Sequence, residues 1–126
     1  MKSEKSLIQE EWLGYAKDDL ESAELLLKKS DNYHISVYHS HQAIEKIFKW
    51  FLLKNNREFP FIHDLKELFK LVEKNKNLND PLEELSFLQD LYPQLRYPTG
   101  DKISKEEAEK SLQIAKKIFK LIADPE

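Results

Sequence analysis

The sequence predicts an all-α fold, an up-and-down bundle of four main helices and one short helix. Apolar residues recur at intervals of three and four in several long segments, which is the period of an amphipathic helix. Only two glycines and five prolines occur in 126 residues, and no segment alternates like a β-strand. A chain of this length can form one hydrophobic core but not two, so we expect residues 1–126 to form a single domain.

Composition excludes several classes of protein. No run of about 18 apolar residues occurs, which argues against a transmembrane helix. The N-terminus lacks a signal-peptide pattern, so a cytoplasmic location is expected. The absence of cysteine excludes disulfides, thiolate nucleophiles and zinc–thiolate sites. A formal net charge of −3 argues against a broad basic surface for nucleic acid but is compatible with local basic patches.

The first helix is predicted to begin near Ser6 and to run to about Lys29. Ser6 and Gln9 have the spacing of a capping box. The apolar stripe consists of Trp12, Leu13, Ala16, Leu20, Ala23 and Leu27. Gly14 weakens the helix by up to about 1 kcal/mol relative to alanine, which suggests a close helix crossing there. The short turn at residues 30–32 implies that the next helix is antiparallel to the first.

The segment from Tyr33 to Lys54 is predicted to be the central helix. Its core face contains Tyr33, Val37, Ser40, Ile44, Ile47, Phe48 and Phe51. A second apolar arc, about 140° away, contains Ile35, Ala43, Trp50 and Leu53. A polar stripe between them contains His34, Tyr38, His41, Gln42, Glu45 and Lys49. Because apolar surface covers most of the circumference, other helices must enclose this one, and the stripe is expected to line a site.

The central helix is expected to stop before Pro60, because proline disfavours helical geometry in the preceding residue. His63 and Asp64 then lead into a short third helix, where Asp64 is favourably placed against the helix dipole. The inner face of this helix contains Leu65, Leu68, Phe69 and Val72. Residues 73–79 are rich in asparagine and lysine, which is typical of a solvated loop.

Asp80 and Pro81 are predicted to open a fourth helix as its N-cap and its first helical residue. This helix is expected to bury Leu82, Leu85, Leu88 or Gln89, and Leu91 or Tyr92. We expect it to end at Pro93 and residues 95–101 to be irregular. A second capping box, at Ser104, predicts the last helix. The inward stripe of that helix contains Ala108, Leu112, Ala115, Phe119 and Ile122.

Common phosphate-binding and metal-binding motifs do not occur. The only glycines are Gly14 and Gly100, so a glycine-rich phosphate loop is not possible. His34 and His41 share a helix face but are seven residues apart, whereas metal pairs on helices usually lie four residues apart. We therefore expect no metal ion and no cofactor.

Candidate site residues come from the polar stripe and from two other segments. Glu45 and Lys49 have the order and spacing of an ion pair, in an arc where charges rarely lie without a role. Arg96 lies in a segment held by prolines, where a guanidinium suits phosphate or carboxylate. His63 and Asp64 precede a helix N-terminus, which also favours anions. Alternatively, Arg96 pairs with Glu45 or with an acidic neighbour, and Asp64 is only a cap.

The sequence resembles the HEPN domain family over nearly its whole length. The motifs are Trp12-Leu13-x-x-Ala16-x-x-Asp19-Leu20, His39-x-His41-Gln42-Ala43-Ile44-Glu45-Lys46-x-x-Lys49, His63-Asp64-Leu65 and Arg96-Tyr97-Pro98. The resemblance implies a helical bundle, a homodimer, a cytoplasmic prokaryotic setting and frequent encoding beside a minimal nucleotidyltransferase. Some members of this family are metal-independent ribonucleases of toxin or defence systems. Others are thought to bind nucleotides or to act as noncatalytic partners.

The ribonuclease members carry an arginine followed, after four to six residues, by a histidine near the end of a late helix. Arg96 is in about the right place, but no histidine occurs in residues 97–103. Arg57 and His63 have the spacing, but Pro60 lies between them in a segment that joins two helices. The chemistry needs an imidazole beside a 2′-hydroxyl and a cation near the phosphate. The missing histidine therefore favours a noncatalytic member.

The leading hypothesis is a noncatalytic protein that binds a nucleotide or RNA phosphate, or acts as the partner of a nucleotidyltransferase. The ligand site would contain Gln42, Glu45, Lys49, Arg96 and Tyr97, with Tyr38, His41, His63 and Asp64 as secondary residues. Lys49 and Arg96 would hold phosphate, and Tyr97 would stack. One alternative is a ribonuclease that uses Arg96 with His41 or His63. The other is a purely structural dimerisation module.

Overall fold

The computed structural model describes residues 4–58, 62–73, 81–96 and 102–124. They form five helices, namely α1 (Glu4–Lys29), α2 (Tyr33–Lys54), α3 (Leu65–Glu73), α4 (Leu82–Arg96) and α5 (Lys105–Ala123). No strand occurs among these residues. The predicted all-α fold of four main helices and one short helix is therefore confirmed. The loop predicted at residues 73–79 and the irregular segment at residues 97–101 lie largely outside the described residues.

Helices α1 and α2 form an antiparallel pair, as the short turn between them predicts. The side-chain amide of Gln9, early in α1, donates to the carbonyl of Leu53 at the end of α2 (3.2 Å). At the opposite end of the pair, the Ser36 hydroxyl donates to the carbonyl of Ala23 (2.8 Å). These bonds fix the register of α1 along α2.

Two predictions about α1 are wrong. The helix begins at Glu4, so Ser6 lies within it, and Gln9 bonds to α2 instead of completing a capping box. Gly14 does not mark a close crossing, because a methyl group placed there meets nothing within 4 Å. Burial of the apolar stripe against α2 determines where α1 packs, and Gly14 lies outside that contact.

Helix α2 is enclosed by the other helices and supplies much of the core. Its predicted core face is buried, apart from the partly buried Tyr33. The fully buried apolar side chains of α2 include Val37, Ala43, Ile44, Ile47, Phe48 and Leu52. The partly buried Ile35 and Leu53 lie on the less enclosed side of the helix. The prediction that this helix must be covered over most of its circumference is confirmed.

Helix α3 is short, and hydrogen bonds fix its N-terminus. The Asp64 carboxylate accepts from the backbone N–H groups of Lys66 (3.0 Å) and Glu67 (3.1 Å), which is the geometry of an N-cap. The side-chain carbonyl of Gln89 in α4 accepts from the N–H of Leu65 (3.1 Å). All four residues predicted for the inner face of α3 are buried.

Helix α4 continues through Pro93 and ends at Arg96, so the predicted end at Pro93 is wrong. Proline removes one backbone donor from a helix, but Pro93 is exposed and water can satisfy the carbonyl that loses its partner. Leu95, in the next turn, packs against the core and keeps this turn helical. At the other end, Pro81 lies one residue before the helix, and its carbonyl accepts from Leu85 N–H (2.9 Å). The predicted cap, Asp80, lies outside the described residues.

Helix α5 begins at the predicted capping box. The Ser104 hydroxyl accepts from Glu107 N–H (3.1 Å), and the Glu107 carboxylate accepts from Ser104 N–H (2.9 Å). The predicted inward stripe is buried, apart from the partly buried Phe119. In the described part of the chain, no helix combines the length and the hydropathy needed to span a membrane.

Replacing Phe48 by alanine is expected to lower the free energy of unfolding by about 3 to 5 kcal/mol, because the change leaves a cavity in the core. Phe48 is fully buried, and its ring centre lies 6.1 Å from that of Phe69. Urea denaturation followed by circular dichroism measures the loss. Leu25→Ala, on an exposed part of α1, should change stability by less than about 0.5 kcal/mol. Similar stabilities for the two variants would contradict this placement of Phe48.

Candidate functional site

The carboxylate of Glu45 connects most of the predicted site. Its Oε1 atom accepts from Lys49 Nζ (3.0 Å) and lies 2.6 Å from His63 Nδ1. Its Oε2 atom accepts from the side-chain amide of Gln42 (3.3 Å). Glu45 is only 2% exposed. Four of the predicted site residues therefore meet at one buried carboxylate, which we call the Glu45 cluster.

Local helix geometry explains part of this cluster. Gln42, Glu45 and Lys49 are one turn apart on α2, so they lie on one side of the helix. His63 reaches the same carboxylate from the segment before α3, whose position depends on the Asp64 cap. A buried carboxylate is costly unless it is paired. The ammonium of Lys49 and the ring of His63 supply that pairing.

The walls of the site come from α1 and α4. On one side, the ring of Trp12 lies 5.6 Å from Lys49 Nζ, within the range of a cation–π contact. On the other side, the ring of Tyr92 lies 4.6 Å from that of His41. Lys49 itself is almost fully buried. The charge of Lys49 therefore lies beneath the surface, between α1 and the Glu45 carboxylate.

His41 is fully buried and is a poor candidate for direct contact with a ligand. Its Nδ1 atom lies 3.8 Å from Glu45 Oε2, and neither ring nitrogen has a hydrogen-bond partner in the described part of the chain. Burial lowers the pKa of His41 to about 4, against the opposing effects of the Glu45 charge and the nearby Gln89 side chain. The imidazole is therefore neutral near pH 7.

The accessible groups of the site are Gln42, Tyr38 and above all His63. The His63 side chain is 63% exposed although its Nδ1 atom rests on the buried carboxylate. Tyr38 is exposed on the same side of α2, and Gln42 is partly exposed. Asp64 uses one carboxylate oxygen to cap α3. A histidine held by a buried carboxylate, with its other nitrogen turned outwards, can donate or accept a proton at the surface.

Arg96 is the last residue of α4. Its side chain and the whole of Tyr97 lie outside the described residues, so their convergence on Glu45 remains a prediction. Among the residues that the structure describes, no group of three or more histidine, aspartate or glutamate side chains is arranged to hold a metal ion.

The structure also shows a second buried carboxylate that was not predicted as part of a site. Asp19 Oδ1 lies 2.8 Å from His39 Nδ1, and Asp19 Oδ2 accepts from Lys46 Nζ (2.7 Å). We call these three residues the Asp19 cluster. All three residues occur in the motifs that carry the family resemblance, and His39 and Lys46, seven residues apart, share a side of α2. Nothing in the local pattern linked them to Asp19 in α1.

Acid is expected to destabilise the protein through His41. Below the ordinary pKa of 6.5 the unfolded chain takes up a proton at His41, whereas the folded protein does so only near pH 4. The free energy of unfolding therefore falls as the pH drops from 6.5 towards 4, by up to roughly 3 kcal/mol from this group.

The measurement is urea denaturation at about pH 7, 5.5 and 4.5, which covers the interval between the unfolded and folded pKa values of His41. We expect His41→Phe to lose less stability than the parent over this range. His34→Phe changes an exposed histidine of the same helix and should follow the parent. If acid lowered the free energy of unfolding equally in the parent and in His41→Phe, His41 would not be a cause of the acid sensitivity.

Known proteins with similar sequences and structures identify the family. The HEPN domain model matches residues 9–124. The chain is 30% identical to "Putative toxin MJ1304" of Methanocaldococcus jannaschii, over 86% of this chain and 82% of that protein. The fold is similar to two crystal structures. TT1696 from Thermus thermophilus has a TM-score of 0.79 and 24% identity, over 90% of this chain and 94% of its own. ST0689, an archaeal HEPN homologue, has a TM-score of 0.68 and 22% identity, over 97% of this chain and 96% of its own.

The matches agree with the observed helices, since the family model covers α1 from residue 9 onwards and the whole of α2 to α5. They also agree with the motifs, because the Glu45 cluster and the Asp19 cluster both lie within the matched residues. The two structural neighbours share the fold at low sequence identity. The model match and the relative in Methanocaldococcus jannaschii show that this chain belongs to the HEPN domain family.

Proposed function

We propose that this HEPN domain protein binds a nucleotide or an RNA phosphate at the Glu45 cluster, without cleaving it. The observation that supports this most directly is the pairing of one buried carboxylate with Lys49 and with the exposed His63. Such a carboxylate holds a cation and an imidazole in fixed positions at the edge of the core. Fixed donors lose little side-chain entropy when a phosphate binds.

Each residue of the proposed site has a distinct part. His63 and Gln42 offer hydrogen bonds at the surface, and Lys49 adds positive charge from beneath them. We propose that Arg96 holds the phosphate and that Tyr97 stacks on the base. The reason is their position in the sequence, shortly after Pro93. Glu45 acts as the positioning residue for Gln42, Lys49 and His63.

The proposal includes two kinds of protein partner. A second copy of the chain would form a homodimer, as the family resemblance implies. A minimal nucleotidyltransferase is the proposed heterologous partner, and the HEPN protein would then be its noncatalytic companion. Neither partner is needed to assemble the Glu45 cluster, because its four side chains meet within one chain.

One observation favours a second candidate function, a metal-independent ribonuclease of the toxin type. His63 Nδ1 lies 2.6 Å from the buried Glu45 carboxylate, which directs the other ring nitrogen outwards for proton transfer. The similar protein from Methanocaldococcus jannaschii is named "Putative toxin MJ1304". The buried, neutral His41 is less suitable for this role than His63. If neither binding nor cleavage occurs, a structural dimerisation module remains.

Nucleotide binding can be tested with AMP by isothermal titration calorimetry. We expect the parent to bind AMP, and His63→Ala and Arg96→Ala to bind it about tenfold more weakly or worse, because each loses a charged hydrogen bond. The matched control is His34→Ala, which removes an exposed histidine of α2 and should bind like the parent. Absence of AMP binding by the parent, or unchanged binding by both variants, would refute the proposed site.

Ribonuclease activity can be tested by incubating the purified protein with tRNA in EDTA. We expect the tRNA to remain intact, because the sequence has no histidine shortly after Arg96 that could act as the general acid or base. Cleavage by the parent that is lost in both His63→Ala and Arg96→Ala, and retained in His34→Ala, would instead establish the ribonuclease function.

A further inference from the structure

The Asp19 cluster directs unused hydrogen-bonding groups towards the solvent. Asp19 is buried, and both of its oxygens are occupied by His39 and Lys46. The Nε2 atom of His39 has no partner among the described residues, and a lysine ammonium has three donors. Both side chains are partly exposed. These remaining groups are therefore available to a ligand.

Two exposed tyrosines flank these groups. The Tyr38 ring meets the His39 ring edge-on, with 5.3 Å between ring centres. Lys46 Nζ lies 5.7 Å from the centre of the Tyr15 ring. Tyr15 is 55% exposed and Tyr38 is 42% exposed. Aromatic faces beside cationic donors are the combination that binds a nucleotide unit, because the base stacks on the ring and the phosphate accepts hydrogen bonds.

A structural role accounts for only part of this arrangement. The bonds of Asp19 to His39 and Lys46 tie α1 to α2, and the pairing compensates the buried charge. That role uses only the His39 Nδ1 atom and one donor of the Lys46 ammonium, which face Asp19. It does not use the outward nitrogen of His39, the spare donors of Lys46 or the two exposed rings.

The Asp19 cluster and the Glu45 cluster lie on two sides of the same helix. Glu45 and Lys46 are consecutive, so their side chains point about 100° apart, and the side chain of Gln42 lies between these directions. The two clusters share no side chain and face different directions around α2. A polynucleotide carries successive phosphates along an extended backbone and can therefore contact both clusters at once.

We propose that the Asp19 cluster, with Tyr15 and Tyr38, is a second contact site for single-stranded RNA that also occupies the Glu45 cluster. Lys46 and His39 contact a backbone phosphate, and Tyr38 or Tyr15 stacks on an unpaired base. This inference rests on the proposed function, since it names the class of ligand that the Glu45 cluster takes. A mononucleotide occupies only the Glu45 cluster and does not reach the Asp19 cluster.

Binding of a fluorescent single-stranded RNA of about ten nucleotides, a length within the site sizes of single-strand binders, tests the inference by anisotropy. We expect Tyr38→Ala to weaken RNA binding by about fivefold or more, the loss of one base stack. Lys46→Gln should lower the slope of log affinity against log salt by about 0.7, because one phosphate contact disappears. Removal of the exposed Tyr38 side chain is not expected to affect folding.

Lys116→Gln is the matched control, because Lys116 also bonds to a carboxylate of α1, that of Glu24 (2.9 Å). It should leave both RNA affinity and salt dependence unchanged. A duplex of the same sequence should bind more weakly, since its bases cannot stack on tyrosine. Equal affinity for duplex and single strand, or parent-like RNA binding by both Tyr38→Ala and Lys46→Gln, would overturn the inference.

AMP titrations of the same variants separate this inference from the proposed function. We expect Lys46→Gln, which changes a residue outside the Glu45 cluster, to bind AMP like the parent while binding RNA more weakly. AMP binding by the parent together with unchanged RNA binding by both variants would overturn the second contact alone. A parent that binds neither AMP nor RNA would overturn the Glu45 site and, with it, the second contact.

Discussion

The structure around α2 depends on the pairing of a buried carboxylate, that of Glu45. Removing Glu45 from water is unfavourable unless opposite charge and hydrogen bonds replace the lost hydration. Lys49 can do this within α2, but His63 can do it only if the start of α3 is held against α2. The Asp64 cap and the hydrogen bond that Leu65 N–H donates to the side-chain carbonyl of Gln89 hold it there. The need to pair the Glu45 carboxylate therefore accounts both for the position of α3 and for the arrangement of polar groups in the site.

The same arrangement occurs a second time, at the interface of α1 and α2. Asp19 is buried, and its partners His39 and Lys46 lie at the edge of the core. In both clusters the acid is inside, and a histidine reaches towards the surface. Helix α2 contributes to both, because residues on neighbouring sides of a helix face different neighbours. One enclosed helix thus presents two sets of positioned polar groups, on two of its sides.

The helices were largely predictable because helix formation follows local patterns. Apolar periodicity located all five, and the capping box at Ser104 has the predicted geometry. The errors arose where a local signal was weaker than packing. The end of α4 at Pro93 was predicted from the missing N–H, but burial of Leu95 extends the helix. At Gly14, the absence of a side chain suggested a close approach that the packing of α1 does not make.

The sequence by itself determined the fold class, the central position of α2, and the common side of Gln42, Glu45 and Lys49, since helical spacing fixes these relations. Only the tertiary structure decided that His63 pairs with Glu45, that His41 is buried and neutral, and that Asp19 holds His39 and Lys46. The paired residues come from different helices or loops. The burial of His41 depends on which side of α2 the other helices cover. Their distances follow from helix packing, which a local pattern of residues does not encode.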